Sequence, residues 1–338
     1  MKAVYLQEPW NVSIKEIEQR PLQEGEALIG IRSAGICGSD IGAYRGTNGL
    51  VSYPRIIGHE LAGVVLEIPE DNPKGLKVGD KVVVDPYLYC GKCYPCSIGR
   101  TNCCNDLHVL GVHVDGGMTE TFAHPAGMLV KAPDDMPWDI MPIAEPLTIA
   151  LHGLHRVGLK AGEHVAISGA GTIGLLMALT ALVYGAEPIL IDLVEERLAF
   201  ARELGVKYTI DLKTDDLMEK IREYTGGRLA ECVIEASGAN AAVRSALDIV
   251  CHAGRIALTG WPKKETLIPT DMITRKEIDI RGARTSAGEF EEALELIHTG
   301  KVDVRKILTK VISIDEAPAV LEDIERNPGN YLKVNVML

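Results

Sequence analysis

The chain has 338 residues, enough for two domains at roughly 150 residues each, and its apolar content of 46% is enough to fill two cores. With 35 Lys+Arg against 47 Asp+Glu the formal charge is −12. A surface that acidic repels phosphate backbones and anionic lipid, which argues against nucleic acid and membranes as partners. The 34 glycines beside only 3 phenylalanines suit an α/β protein with many tight turns and exclude a disordered or collagen-like chain.

Residues 1–8 hold no run of seven apolar positions and no cleavage site, so no signal peptide is expected and the location reads as cytoplasmic. Eight cysteines in such a chain point to metal binding or catalysis rather than a disulfide framework, and five of them fall between Cys90 and Cys104.

Over residues 1–145, short strands at 3–6, 12–17, 26–32 and 81–84, separated by Gly or Pro clusters, predict a compact β-rich domain. From residue 147 strands alternate with helices. The strands are expected at 164–168, 188–192, 208–210, 231–235, 255–259 and 277–282, the helices at 173–184, 195–204, 215–224 and 241–251. That alternation predicts right-handed βαβ units and a parallel, doubly wound sheet. Residues 165–186 carry no charge for 22 positions, a length that could span a bilayer. Three early glycines and a β-branched first part make it a buried strand, a tight turn and a buried helix instead. After Arg284 a helix (289–298), a strand (307–312), a helix (315–326) and a last strand (331–337) break the alternation and are expected to return to the first domain. There is no internal repeat.

Gly169-Ala170-Gly171-Thr172-Ile173-Gly174 fits G-x-G-x-x-G between a predicted strand and a predicted helix. The first glycine permits the turn, the second admits a pyrophosphate to the backbone, and the third lets helix and strand pack closely. The helix start then offers N–H groups and a positive dipole end to the phosphates. Asp192 ends the second strand 18 residues after Gly174. A carboxylate there binds ribose hydroxyls and repels a 2′-phosphate, favouring NAD over NADP. Arg197 either stacks on adenine or is a solvated helix residue.

Cys90, Cys93, Cys96 and Cys104 are spaced C-x2-C-x2-C-x7-C. Four thiolates from one short loop suit a closed tetrahedral zinc site of structural type, with an iron–sulfur cluster or disulfides as the alternatives. Spacing alone does not choose between Cys104 and its neighbour Cys103. A second set is dispersed: Cys37 in Gly35-Ile36-Cys37-Gly38-Ser39-Asp40, His59 and Glu60 after Gly58, and Glu145 in Glu145-Pro146-Leu147. Singly, Cys37 reads as a small buried residue and His59 as a satisfied histidine. Together they supply a thiolate, an imidazole and carboxylates, the donor set of an open catalytic zinc site.

At these motifs, with Asp115-Gly116-Gly117, the sequence resembles the zinc-dependent medium-chain dehydrogenases/reductases of the sorbitol dehydrogenase-like branch, over essentially its whole length. Residues 94–104 and 111–117 look most like bacterial L-galactonate/L-gulonate 5-dehydrogenases. The resemblance implies a GroES-like catalytic domain (1–148 with 285–338), a Rossmann NAD-binding domain (149–284), an active site in the cleft between them and a homotetramer or homodimer. It implies two zinc ions per chain: a catalytic one on Cys37 and His59, with Glu60 and Glu145 as alternating or water-mediated ligands, and a structural one for which it selects Cys104. Ser39 would relay the proton of a secondary alcohol whose hydride passes to NAD+, and Asp40 would orient His59. One departure is Gly42, where many relatives carry a histidine, so the proton path needs a water or another group such as His152.

Arg284 follows the last predicted Rossmann strand, where a parallel sheet presents its ligand crevice, and could grip a carboxylate. His113 could add a second anion contact, and Tyr44 and Arg45 could touch substrate or lie on a plain surface. The expected substrate is a small polyol or sugar acid, leaning to the acid. A neutral-polyol dehydrogenase, an L-threonine dehydrogenase, an NAD-binding sensor and a zinc-free quinone reductase relative are the alternatives.

Overall fold

Strand Glu26–Ile36 is flanked on both sides and is buried along nearly its whole length. It pairs antiparallel with Glu60–Glu67, with Thr121–Pro125 and with the C-terminal strand Lys333–Met337. Its seven-stranded sheet continues outward through Lys81–Val84 to Leu129–Lys131 on one side and to Leu308–Ser313 on the other. A three-stranded sheet of Asn11–Glu16, Lys2–Glu8 and Arg55–Ile56 completes the β-rich layer. Val4, Leu6, Ile29, Ile31, Ile57, Leu61, Val82 and Val336 meet in its core, so strands more than 300 residues apart in sequence share one interior.

The computed structural model describes all of residues 1–338. It divides into two units, Met1–Glu145 with Phe290–Leu338, and Pro146–Glu289. The second unit is built on six strands in the order Tyr208–Asp211, Glu187–Asp192, His164–Ser168, Ala230–Glu235, Val250–Leu258 and Asp279–Gly282. Every neighbouring pair is parallel. Numbered within the unit this is the order 3-2-1-4-5-6 of a Rossmann sheet, with its switch point between His164–Ser168 and Ala230–Glu235. The fold is thus mixed α/β, a β-rich unit and a doubly wound parallel sheet.

The uncharged stretch 165–186 forms strand His164–Ser168 and helix Thr172–Val183, both largely buried. No helix is long and apolar enough to cross a membrane. Two helices escape the sequence reading. Ala144–Val157 carries Pro146 and Gly153, which read as breakers, but the proline stands in the first turn, where its missing N–H costs nothing. Thr270–Lys276 ends on Glu277 in the left-handed region (φ 52°), so the edge strand begins at Asp279 rather than 277. Strand Val250–Leu258 also starts earlier than 255, with an irregularity opposite Ala230–Cys232 absorbing the extra residues.

Candidate active site and metal centres

The four-cysteine loop is closed at its base by a two-pair antiparallel ladder, Tyr87 opposite Val109 and Leu88 opposite His108. Within it the sulfurs of Cys90, Cys93, Cys96 and Cys104 all lie within 4.8 Å of one another. Cys93 to Cys96 is 3.4 Å and Cys93 to Cys104 is 3.7 Å. Those gaps are far too long for disulfides and close to the ~3.8 Å edge of a tetrahedron of sulfurs around zinc. Cys103 is not part of the set; it ends a 3-10 turn, Thr101–Cys103, that delivers Cys104 inward. The N–H groups of Cys90 and Asp106 donate to Cys104 Sγ, each at 3.3 Å. Backbone N–H groups of Asn105 and Cys96 lower the Cys93 thiol to about 6. Desolvation and the neighbouring sulfurs of Cys93 and Cys104 push Cys96 up to about 12. Thiols this close do not all ionise without a cation among them, which fits a metal of zinc type.

The dispersed set assembles at the end of the central strand. Cys37 follows Glu26–Ile36 and caps the helix Gly38–Tyr44, with its N–H on Asp40 Oδ2 at 2.9 Å. Glu60 opens the strand Glu60–Glu67 paired beside it, and His59 immediately precedes it. One donor atom from each of Cys37, His59 and Glu60 lies within 4.8 Å of the others. Ser39 Oγ is 3.5 Å from His59 Nε2, and Asp40 Oδ1 stands 3.9 Å from Nδ1. The imidazole is therefore bracketed, its Nε2 toward the Cys37–Ser39 turn and its Nδ1 toward Asp40. Burial alone would lower the His59 pKa, but the Cys37 sulfur, Asp40 and Glu145 raise it well above the ordinary value. Burial pushes the Glu145 carboxyl up to about 7 against the pull of His59. Glu60 Oε1 is buried with no hydrogen-bond partner. A thiol, an imidazole and carboxylates gathered in so dry a place fit a divalent cation.

Three further elements support this set, and two of the residues involved, Lys333 and Tyr87, belong to no motif. Lys333, 2% exposed, donates to Glu60 Oε2 and to Ile36 O. Gly35 makes that possible, because a Cβ there would overlap Glu60 Oε2 and stand 2.9 Å from Lys333 Nζ. Tyr87 donates its hydroxyl to Glu145 Oε1. Asp115-Gly116-Gly117 lies against the segment leading into His59: Asp115 Oδ1 accepts from Ile56 N (3.1 Å), and Gly116 N and Gly117 N donate to Ile56 O (2.7 Å) and Gly58 O (3.0 Å).

In the second unit Gly169 turns the chain at φ 107° between strand and helix. A side chain at Gly174 would run into Gly169 O, so the third glycine is required by close packing. Gly171 caps the helix that Thr172 and Ile173 begin. Asp192 Oδ2 accepts from Ala170 N at 2.5 Å and Oδ1 from Leu193 N and Val194 N, so this carboxylate sits directly on the glycine loop. Arg197 lies half-buried on the helix Glu195–Glu203 that follows. On the same strand-end rim, the buried Glu235 carboxylate ties the Ser237–Gly238 turn through Oε1. Arg284, past the edge strand, places its guanidinium 5.9 Å from the Trp261 ring centroid.

The remaining candidates have structural partners. Tyr44 is buried, edge-on to Trp10 at 5.3 Å, and Arg45 pairs with Glu325, so neither joins the Cys37–His59 set. His113 Nδ1 accepts from Val109 N at 3.0 Å. His152 Nδ1 is 2.7 Å from Glu289 Oε1, and His155 Nδ1 lies 3.5 Å from the same oxygen. The imidazoles hold the Glu289 carboxyl down at about 2, although burial acts the other way.

Comparison with known proteins agrees with this construction. Residues 23–134 match the alcohol dehydrogenase GroES-like domain and residues 172–299 the zinc-binding dehydrogenase domain. The chain is 54% identical to an uncharacterized zinc-type alcohol dehydrogenase-like protein of Haemophilus influenzae, covering 100% of this chain and 98% of that one. It is 34% identical to the L-galactonate-5-dehydrogenase of Escherichia coli over 91% of each. A solved alcohol dehydrogenase from Escherichia coli CFT073, in complex with NADH, superposes with a TM-score of 0.94 at 32% identity, covering 100% of this chain and 99% of that one. The chain belongs to the zinc-type alcohol dehydrogenases of the medium-chain dehydrogenase/reductase family, and it is an oxidoreductase. In that family setting the Cys90, Cys93, Cys96 and Cys104 cluster fits a structural zinc.

Proposed function

We propose that the chain oxidises a secondary alcohol on a sugar acid of the L-gulonate or L-galactonate type, at C5, with NAD+ as acceptor. The observation that carries this is the convergence of Cys37, His59 and Glu60 donor atoms within 4.8 Å, with the Ser39 hydroxyl 3.5 Å from His59 Nε2. Cys37 and His59 would hold a catalytic zinc, with Glu60 and Glu145 exchanging as further ligands or acting through water. Zinc, when bound, supplies Lewis acidity that eases loss of a proton from an alcohol. NAD+ supplies the hydride acceptor.

Ser39 accepts the alcohol proton as it passes its own hydroxyl proton onward, and Asp40 keeps the His59 ring turned, acting on its Nδ1 side. Gly42 brings no side chain that could carry the proton onward, so the path beyond Ser39 needs a water. His152, held on Glu289, is the alternative carrier. Gly169, Gly171, Thr172, Ile173 and Gly174 cradle the pyrophosphate, while Asp192 takes the ribose hydroxyls and disfavours a 2′-phosphate. Arg284 is the carboxylate clamp, supported by its place on the strand-end rim and by the sugar-acid substrate in the name of the Escherichia coli relative. The reading carries with it a cytoplasmic location and a homodimer or homotetramer.

The test is NADH formation at pH 7 with zinc-loaded protein on L-gulonate, L-galactonate, D-sorbitol, galactitol and L-threonine, beside Arg284→Ala. Turnover on an aldonate that the variant loses mainly through KM supports the clamp. Turnover confined to neutral polyols or threonine would sink the sugar-acid reading. NAD binding without turnover on any of them would leave a nucleotide sensor.

A further inference from the structure

The two metal centres meet in one side chain. Tyr87 belongs to the base ladder of the four-cysteine loop, and its N–H is fixed on Asp85 Oδ1 at 3.1 Å. Its ring, 4% exposed, forms a small cluster with Cys104 and Leu107, against which Cys90, Cys93, Cys96 and Val109 pack. Its hydroxyl points the other way and donates to Glu145 Oε1. The ring is thus part of the lobe while the hydroxyl is part of the dispersed set.

We propose that Tyr87 is a positioning residue that sets the Glu145 carboxylate beside the Cys37–His59–Glu60 site and makes that setting depend on the packing of the four-cysteine lobe. A phenol donating to one carboxylate oxygen fixes the plane of the group and directs its second oxygen. Groups that orient ligands in this way usually govern metal affinity by 10- to 100-fold. The lobe's buried cluster has only three members, Tyr87, Cys104 and Leu107, on a two-pair ladder. Loosening it shifts the Tyr87 ring, and the hydroxyl moves with the ring because the two are one rigid body. The inference rests on the proposed reading of the dispersed set as the catalytic metal site.

The experiment uses the full chain loaded with Co2+ in both sites and compares Tyr87→Phe, Leu107→Ala and the double variant. Two readouts apply: the visible absorption of each cobalt site and the rate of metal release to a chelator. Tyr87→Phe keeps the ring, so the all-sulfur cobalt spectrum is expected unchanged. The thiolate–imidazole cobalt spectrum shifts, and that metal leaves roughly 10- to 100-fold faster. Leu107→Ala, which trims the lobe without touching a ligand, also speeds release from the dispersed site. It adds nothing further in the Tyr87→Phe background. A wild-type chain that holds two metals, with Tyr87→Phe leaving the second spectrum and release rate unmoved, overturns this inference alone. Additive effects of the two substitutions overturn the dependence on the lobe. A wild-type chain that holds a single metal overturns the catalytic-metal reading and the inference with it.

Discussion

The two ligand clusters of the first unit are built on opposite plans. The four cysteines come from one loop and have, besides a metal, only a small buried cluster, Tyr87, Cys104 and Leu107, to hold them. The dispersed set draws on residues 37, 59, 60 and 145, with Lys333 and Tyr87 behind its carboxylates; all but the half-buried Cys37 are buried, and residues 37, 59, 60 and 333 are placed by the seven-stranded sheet. A local cluster can rely on its ion for structure, whereas a catalytic cluster must be shaped beforehand by the fold around it.

The sharpest way to break that contrast is to remove the lobe's metal. A structural zinc of this kind contributes on the order of 10 kcal/mol to its own domain. Cys96→Ser is therefore expected to lower metal content from two per chain to one and to open residues 90–104 to proteolysis. The seven-stranded sheet should stay folded by circular dichroism. Global unfolding would show that the lobe is not autonomous.

Next in size is the buried pair behind Glu60. Lys333→Met leaves that carboxylate in the core without its cation, a loss of about 3–5 kcal/mol. Urea denaturation measures it, and a change under about 1 kcal/mol would mean that the scaffold relaxes around the site.

His124 probes the same scaffold through pH. It lies on Thr121–Pro125, its Nε2 on Asp85 O at 2.9 Å, and burial lowers its pKa to about 4. The folded value is below the unfolded one near 6.5, so the unfolded chain binds the proton first as pH falls. The stability is fully present above about pH 6.5 and is lost progressively down to about pH 4, by about 3 kcal/mol. His124→Gln should flatten that limb of the pH–stability curve, and an unchanged limb would assign it elsewhere.

The smallest expected effect is at Asp115, whose side chain is largely exposed and which joins Arg55 at 3.2 Å. Asp115→Ala is expected to cost about 1 kcal/mol by thermal unfolding and to leave metal content at two, because the Gly116 and Gly117 backbone bonds remain. Loss of the second metal would show that the loop itself shapes the His59 turn.

Much of this was legible beforehand, for different reasons in different places. Strand His164–Ser168, the glycine loop and Asp192 follow local rules of turn and packing, so their positions could be read from spacing. The four-cysteine loop was legible for the same reason. The choice between Cys103 and Cys104 was not, since it depends on which sulfur the 3-10 turn directs inward. Helix Thr270–Lys276 has too weak a pattern and too short a length to announce itself. Tyr44 reads from its nearness to Cys37 as a substrate contact or a plain surface residue; helix periodicity buries it, edge-on to the exposed Trp10. Tyr87, Lys333 and Glu289 carried no local signal. The one hint was that Lys333 is the only charged residue of the strand Lys333–Met337.

By itself, then, the sequence determined the α/β class, the doubly wound alternation, the nucleotide loop and the presence of a thiol-rich metal loop. Each of these rests on interactions between residues close together along the chain. Tertiary structure alone decided that Lys333 stands behind Glu60, that Tyr87 spans from the lobe to Glu145 and that Asp40 and Ser39 bracket the two nitrogens of His59. The Lys333–Glu60 pairing forms only when the C-terminal strand docks beside Glu26–Ile36, and the others only when segments distant in sequence are brought together. No periodicity records that event, because the partners come from segments that have no neighbours in common until the sheet is complete.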